Sequence, residues 1–395
     1  MIDWILYFAL LLAVAIGFWQ GRRVGRKKFD TESCSLKQQY VQGLNFLLNE
    51  QPDAAVTSFI NALDVNSETL ETHLALGKLL RRRGEVDRAI RIHQNLLARP
   101  GLSRDQAREA HYELACDFMV AGLLDRAERL LQELTEEEGP FQNDGLQRLL
   151  EIFRDEKEWK SGLAVLNRLS GSRFSKQYEK WAPTRAHFCC ELAEQATTNQ
   201  KLTSARQYLK QALNYDKNSA RAILLSGRVE IIAGSYTKGI QELQRIAEQN
   251  PAYISEALPY LEEGYSHTGN LRKYRDFLAK AYAKDTSPML MLAMANAIAR
   301  ESGDHASADF LAEAVVERPS GKALHELLDY YIAFSDGKSR PNFEILQVAV
   351  SLIASQSAYY QCNSCGFKGQ ELHWLCPSCK QWGQIEPLKY SQGER

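Results

Sequence analysis

The stretch LGKLLRRRGEVDRAIRIHQNLLARP at residues 76–100 shows the unit from which most of this chain is built. Gly84 falls where a first helix should end, and Pro100 falls where a second helix should end. Small residues at Gly77 and Ala89 let the two helices approach closely, while Leu80 fills the space between turns. The stretch therefore predicts a hairpin of two helices.

The same pattern recurs along the chain at intervals of 34 to 43 residues. The aligned position is small in every repeat except the one that carries tyrosine: Ala55, Ala89, Ala127, Gly162, Ala205, Gly239, Tyr274 and Ala308. The period and the pattern resemble tetratricopeptide repeats. The resemblance implies an all-α fold, with about eight repeats over residues 36–320 stacked into a superhelical solenoid with a concave face.

Turn residues agree with this prediction. Glycines stand at the expected end of the first helix of five repeats: Gly84, Gly122, Gly234, Gly269 and Gly303. The longest interval holds an insert, Gly171 to Pro183, which could kink the array. A further helix pair, at about 322–334 and 342–357, should cap the solenoid, so residues 321–357 are assigned as capping helices.

The N-terminus predicts a membrane anchor. Residues 4–19 carry no charge, and at about 1.5 Å rise per residue they span roughly 24 Å, just under the ~30 Å hydrocarbon core. Five basic residues follow directly: Arg22, Arg23, Arg26, Lys27 and Lys28. We therefore predict a transmembrane helix at 1–20 and a basic linker at 21–35, with the N-terminus outside and the rest of the chain cytoplasmic. An amphipathic surface helix is the alternative, but this segment has no polar face.

Near the C-terminus, two Cys-x-x-Cys pairs predict a metal site formed by Cys362, Cys365, Cys376 and Cys379. Four thiolates select zinc or iron, between which the pattern does not decide, over magnesium or calcium. A redox dithiol and disulfides are the alternatives. With four cysteine ligands no position is left for a water nucleophile, so we expect a structural site within a domain at 358–390.

The surroundings of that site can also be predicted. We expect Trp374, Trp382 and Phe367 to pack around the two knuckles, and one face of the domain to dock on the last repeat helices. His373 lies between the cysteine pairs and is interpreted as a bystander, because four thiolates already complete the ligand shell.

The remainder of the sequence points away from enzymes and from nucleic acid. Phosphate-binding loops, zinc-hydrolase motifs and serine-nucleophile motifs are absent, and no catalytic residue is proposed. The net charge of −1 gives no case for nucleic-acid binding. The other cysteines are interpreted as buried small hydrophobes: Cys34, Cys116, Cys189 and Cys190. The run Arg81-Arg82-Arg83 is either a solvated face or a contact for anionic lipid or an acidic partner.

An N-terminal anchor, helical repeats and a Cys-x-x-Cys-Gly…Cys-Pro-x-Cys tail, in this order, resemble the lipopolysaccharide assembly protein B family of Gram-negative inner membranes. In that family the tail is rubredoxin-like, a likeness carried here by Cys362, Cys365, Gly366, Cys376, Pro377 and Cys379. Lys380 departs from it, because rubredoxins usually have a second glycine there.

The resemblance implies a regulatory adaptor. Such proteins help an FtsH-type membrane protease degrade the deacetylase that commits precursor to lipid A synthesis, and an inner-membrane protein that senses lipopolysaccharide opposes them. Two alternatives come from other classes: an iron-based electron carrier on a repeat platform, and a scaffold for envelope-assembly enzymes that acts without proteolysis.

Overall fold

The computed structural model describes residues 45–46, 54, 70–98, 102–171, 175–284, 287–356 and 358–388. The predicted membrane helix, the basic linker and almost all of the first repeat lie outside these residues. Among the residues described, no helix is long and apolar enough to cross a membrane. The chain divides into two compact units, Met1–Ile152 and Phe153–Arg395.

The first unit is built from consecutive helices that pack on one another. They are α1 (Leu70–Arg82), α2 (Val86–Leu97), α3 (Arg104–Val120), α4 (Leu124–Glu136) and most of α5 (Gln142–Asp155). The predicted close approach is present in the first hairpin, where a Cβ built on Gly77 would lie 2.4 Å from Nε2 of His93. Glycine at this position is therefore required by packing rather than by a turn.

Arg81 belongs to this packing and does not form an exposed basic patch with its neighbours. Its guanidinium donates to Glu113 and to Asp117, at 2.7 Å each, and Asp117 is fully buried. His93 is also fully buried, with Nδ1 2.5 Å from the second oxygen of Asp117. Of the predicted arginine run, only Arg82 and Arg83 have exposed side chains, so Arg81 has a structural role that the charge pattern did not indicate.

The second unit continues the hairpins. Its helices are α6 (Trp159–Ser170), α7 (Lys176–Thr198), α8 (Leu202–Tyr215), α9 (Ala220–Ile232), α10 (Tyr236–Gln249), α11 (Ile254–His267), α12 (Leu271–Tyr282), α13 (Pro288–Ser302), α14 (Asp304–Glu317), α15 (Gly321–Phe334) and α16 (Ser339–Gln356). A single 3-10 turn, Pro251–Tyr253, precedes α11. Residues 176–183 of the insert belong to α7, which is 23 residues long and holds Pro183 inside it.

The turns within the hairpins follow the glycine pattern. All five predicted glycines adopt positive φ, from +67° at Gly269 to +91° at Gly303. Two further hairpins turn without glycine, at Lys157 (φ 61°) and Gln200 (φ 58°). The residue after each closes the same backbone hydrogen bond to the end of the preceding helix, at 2.7 and 2.8 Å. These two turns could not be predicted from residue types, because non-glycine residues rarely adopt this conformation.

The core lies between successive helices and is lined by the residues at the aligned position. Those that the structure describes are all buried: Ala89, Ala127, Gly162, Ala205, Gly239, Tyr274 and Ala308. In the hairpin of α9 and α10, a Cβ on Gly227 would lie 2.3 Å from Cγ of Leu243 and 3.2 Å from the carbonyl oxygen of Gly239. The backbones of α9 and α10 are in contact at this point, which explains why the aligned position holds the smallest residues.

The C-terminal tail is the one part of the described chain that is not helical. Its strands β1 (Tyr360–Cys362), β2 (Lys368–Gly369) and β3 (Ile385–Pro387) form an antiparallel sheet in the order β2-β1-β3. The all-α prediction therefore holds for the repeats and not for this tail. Backbone hydrogen bonds from Tyr359 N to Gly369 O and from Leu388 N to Tyr359 O, 2.9 and 2.8 Å long, continue the sheet at its end.

Candidate metal centre

The first cysteine pair lies on a tight turn between β1 and β2. Cys362 ends β1, and its N–H donates to the carbonyl of Phe367 at 2.8 Å. Gly366 donates back to the carbonyl of Cys362 at 2.9 Å and has φ +76°. The turn thus holds Cys362 and Cys365 on the same side, and its left-handed residue is a glycine, for which this conformation carries no Cβ penalty.

The second pair lies on an equivalent turn. Cys376 N–H donates to the carbonyl of Gln381 at 2.9 Å, and Lys380 N–H donates to the carbonyl of Cys376 at 3.0 Å. Lys380 has φ +57° and so occupies the place of Gly366 in the first turn. The departure from rubredoxins noted in the sequence therefore leaves the backbone geometry intact, although lysine is strained in this conformation.

The two turns bring together all four predicted ligands. The sulfurs of Cys362, Cys365, Cys376 and Cys379 lie within 4.8 Å of one another. Sγ of Cys362 is 3.8 Å from that of Cys379, and Sγ of Cys365 is 3.7 Å from that of Cys376. In a tetrahedron with metal–sulfur bonds of ~2.3 Å, sulfurs are separated by about 3.8 Å. The donor set and its spacing therefore fit one tetrahedral ion, and the four cysteines form a metal-binding site.

The electrostatics of the thiols also favour a cation. The backbone N–H of Phe367 lowers the pKa of the Cys365 thiol to about 6. At Cys379 the N–H of Gln381 has the same lowering effect, but desolvation and hydrogen bonds to the other three cysteines together raise the pKa to about 11. Without a cation, one thiolate therefore forms readily, and its negative charge opposes deprotonation of the next thiol. A divalent ion removes that repulsion, and binding releases protons.

The two pairs differ in solvent access. Cys362 and Cys376 are buried, whereas Cys365 is exposed and Cys379 is partly exposed. Phe367 packs against the buried cysteines, as predicted. His373 is exposed, contacts only the Phe367 ring among the aromatic contacts of the described chain, and lies outside the cluster of four sulfurs.

Trp382 attaches this metal ribbon, residues 358–388, to the repeat helices. Its ring stacks on His187 of α7, with centroids 4.9 Å apart and planes 18° apart. Trp159 and Phe188 approach it edge-on, at 6.1 and 5.9 Å, and the Arg221 guanidinium lies 5.7 Å from its centroid. Burial, and then the charge of Arg221, lower the pKa of His187 to about 3, so this imidazole is neutral at physiological pH.

A second contact lies at the 3-10 turn and α11. The hydroxyl of Tyr253 donates to the carbonyl of Ile385 at 3.1 Å, and its ring lies 5.2 Å from that of Trp374. Tyr360 donates to the carboxylate of Glu256 at 2.5 Å. Burial raises the pKa of Tyr253 to about 12, which keeps this hydroxyl a donor.

These contacts extend the docking prediction. The tail was expected to dock on the last repeat helices, and it does contact the helices just before it: the Tyr359 hydroxyl donates to the carbonyl of Ala354 in α16 at 3.1 Å, and Lys322 of α15 lies 3.9 Å from the Tyr359 ring. The prediction missed the further contacts with α6, α7, α9 and the start of α11. Trp374 and Trp382 face the repeats rather than enclosing the knuckles. The sequence also missed the receiving residues, His187 and Arg221, because single polar residues within helices carry no spacing signal.

The remaining cysteines that the structure describes behave as predicted. Cys189 and Cys190 are fully buried on α7, and Cys116 is buried on α3. Burial raises the pKa of the Cys189 thiol to about 12, so it is not a reactive thiolate. Cys34 lies outside the described residues.

Comparisons with known proteins find relatives of both the repeats and the metal ribbon. A family model described as "Rubredoxin metal binding domain" matches residues 360–387, and one described as "Tetratricopeptide repeat" matches residues 40–101 and 190–254. The chain is 36% identical to "Lipopolysaccharide assembly protein B" of Escherichia coli K12, over 98% of this chain and 99% of that protein. It is 33% identical to the protein of the same name from Haemophilus influenzae Rd, over 97% and 98%.

Proposed function

Because the chain belongs to the lipopolysaccharide assembly protein B family, we propose that it is a membrane-anchored cytoplasmic adaptor that regulates lipopolysaccharide biosynthesis. It promotes degradation of the committed-step lipid A deacetylase by an FtsH-type membrane protease. An inner-membrane protein that senses lipopolysaccharide opposes this action.

The observation that carries the proposal is the end-to-end similarity to two relatives named for lipopolysaccharide assembly. The alignment covers 98% of this chain, so the similarity extends over the repeats and the metal ribbon and is not confined to one module. Repeat arrays of this type offer extended surfaces for protein segments, which an adaptor needs.

The metal ribbon supports a structural role in such an adaptor. Four thiolates fill a tetrahedral shell, so a bound ion would supply cross-linking of the two turns and no open coordination position. Cys362 and Cys376 would hold it from the buried side, and Trp382 would transmit the resulting rigidity to α7. The ribbon thus fixes one face of the repeats in place without a catalytic function.

The predicted anchor completes the mechanism. A span at residues 1–20, with the basic linker on the cytoplasmic side, would hold the repeats at the surface where the protease works. Confinement of this kind raises effective affinity by about 10²–10⁴ when the geometry permits both partners to bind.

The test is the half-life of the deacetylase in cells with and without this protein. We expect deletion to lengthen the half-life several-fold and wild-type chain to restore it. Trp382→Ala, which loosens the ribbon, should restore it poorly, whereas Trp181→Ala, on the same helix as His187 but away from the ribbon, should restore it fully. An unchanged half-life after deletion would favour the alternative, a scaffold for envelope-assembly enzymes that acts without proteolysis.

One observation favours electron transfer as a second candidate. The Cys365 sulfur is at the exposed edge of the site, where a redox partner could approach an iron ion. A visible spectrum that bleaches reversibly on reduction would support this candidate, and a colourless zinc protein would exclude it.

A further inference from the structure

The last helix of the array, α16, has two different faces. One face packs on α15: the Phe343 ring lies 5.7 Å from Tyr331, Gln347 donates to Asp329, and a Cβ on Gly321 would lie 3.0 Å from that of Ala354. The other face is turned to solvent and is apolar. A terminal repeat normally has a polar outer face.

The exposed face is a continuous helical stripe. It is formed by Ile345, Leu346, Val348, Ala349, Leu352 and Ile353. Its five branched side chains are exposed by 52% to 68%. The spacing of 345, 348/349 and 352/353 places them on one side of the helix, at the interval that two packed helices use.

The sequence of the stripe is nearly symmetric about Ala349. The segment ILQVAVSLI, residues 345–353, reads the same in both directions apart from Gln347 and Ser351. In an antiparallel pair with its two-fold axis at Ala349, Ile345 would stand level with Ile353 of the second copy. Leu346 would likewise stand level with Leu352, and the smallest side chain would lie where the two backbones come closest.

We propose that the exposed stripe of α16 is an isologous dimer interface, on which a second copy of this chain packs its own α16 in antiparallel orientation. A two-fold contact uses the same patch on both copies, and a symmetric stripe is suited to that requirement. The stripe offers roughly 500 Å² of apolar surface per copy, so a pair buries about 1,000 Å², which reaches the lower limit of a specific interface.

Charge also favours a second copy over a lipid surface. Helix α16 has no charged residue from Ile345 to its end, and the nearest two, Arg340 and Glu344, are ion-paired with each other. No like charges therefore repel a second copy across the stripe. A helix that lies on a membrane surface carries lysine and arginine on its polar face, which α16 lacks over this length.

Cross-linking of the full-length chain in native membranes tests the register. Ala349→Cys alone should give a dimer with a short bismaleimide, because the axis places the introduced thiol beside its own copy. Ile345→Cys alone should give less than about one-tenth of that yield, since the two thiols lie about 12 Å apart along the helices. Mixing chains with Ile345→Cys and chains with Ile353→Cys should restore cross-linking, and the wild-type chain reports the background from native cysteines.

A second measurement removes the dependence on added thiols. Ala349→Glu should lower the dimer-to-monomer ratio of the full-length chain in nanodiscs at least about tenfold, because two carboxylates would meet at the axis. The control Val316→Glu, at an exposed apolar residue of α14, should leave the ratio unchanged.

Three outcomes would overturn the proposal. Equal cross-linking at 345 and 349 would indicate random collision, and an adduct with a protein of another mass would assign the stripe to a different partner. A monomeric chain whose introduced thiol at 349 is protected only by lipid would assign the stripe to the membrane.

Discussion

The indole of Trp382 stacks on the imidazole of His187, and this contact joins the metal ribbon to the middle of the repeat array. Trp382 follows the second cysteine turn directly, while His187 lies deep within α7. The position of the ribbon therefore depends on a contact between a ring three residues after the last predicted metal ligand and an imidazole that is neutral at physiological pH.

Replacing Trp382 should loosen the ribbon without removing the ion. Trp382→Ala deletes contacts with His187, Phe188 and Trp159, and truncations of this size cost about 3–5 kcal/mol. We expect full metal content together with faster amide exchange in residues 358–388. Trp181→Ala on the same receiving helix is the control, and equal exchange in both variants would contradict the assigned role.

Replacing one metal ligand should, in contrast, remove the ion as well as loosen the tail. Cys362→Ser or Cys379→Ser should lose stoichiometric metal and make the tail sensitive to protease, because a segment this small has little core of its own. Cys189→Ala, which changes a buried thiol of α7, should retain the metal. A serine variant that kept both the metal and the protease resistance would disprove the four-thiolate site.

The two cysteine turns should respond differently to glycine and alanine. Lys380→Gly relieves a left-handed lysine and should stabilise the ribbon by up to about 1 kcal/mol. Gly366→Ala imposes the same strain on the first turn and should destabilise it by a similar amount, since no neighbouring atom lies within 4 Å of a Cβ there. Thermal unfolding of metal-loaded protein measures both, and changes of the same sign would be inconsistent with this interpretation.

Mild acid should weaken the docking of the ribbon through His187. Burial, then the charge of Arg221, lower the folded-state pKa to about 3, below the ordinary value of 6.5, so the unfolded state binds the proton first as pH falls. The stabilisation is complete above about pH 6.5 and is lost progressively toward pH 3, at about 1 kcal/mol per pH unit.

The matched variant isolates this contribution from acid release of the metal. His187→Phe retains an aromatic ring but cannot be protonated, so its stability should fall less steeply than that of wild type between pH 6.5 and 5. Unfolding by denaturant at each pH, with metal content monitored, measures the difference. Parallel pH profiles would assign all of the acid sensitivity to the cysteines.

The predicted anchor can be tested by topology and by replacement. A reporter active only in the periplasm should be silent when fused after Arg395. Removing residues 1–21 should leave folding of the repeats intact but sharply reduce activity in cells, and an unrelated span with the same orientation should restore much of it. Failure of every foreign span at equal protein levels would indicate specific contacts made by residues 4–19 within the membrane.

The spacing of residues in the sequence predicted those features that depend on local backbone geometry. The cysteine turns, the glycine turns and the buried small residues each follow from a conformation or an approach distance that few residue types allow. Arg221 illustrates what spacing could not predict. Its guanidinium is almost fully buried, between Glu191 and Glu194 on one side and Trp382 on the other, yet it resembles any surface arginine in the sequence.

The docking position was predicted only in part, for a related reason. Neighbours in sequence are neighbours in a linear repeat array, so the contacts of Tyr359 with α15 and α16 follow from chain order. The contacts of Tyr253 and Glu256 with the tail do not, because tertiary packing there brings together residues 132 and 104 positions apart.

Those long-range hydrogen bonds change how the second unit should come apart. An open stack of hairpins can unravel one repeat at a time from its free end, because each hairpin is stabilised only by its neighbours. Because residues 385 and 253 are hydrogen-bonded, the hairpins between them are held at both ends of the segment. Loss of any one hairpin removes this support from the others. Helices α11 to α16 should therefore unfold in a single cooperative transition and refold slowly.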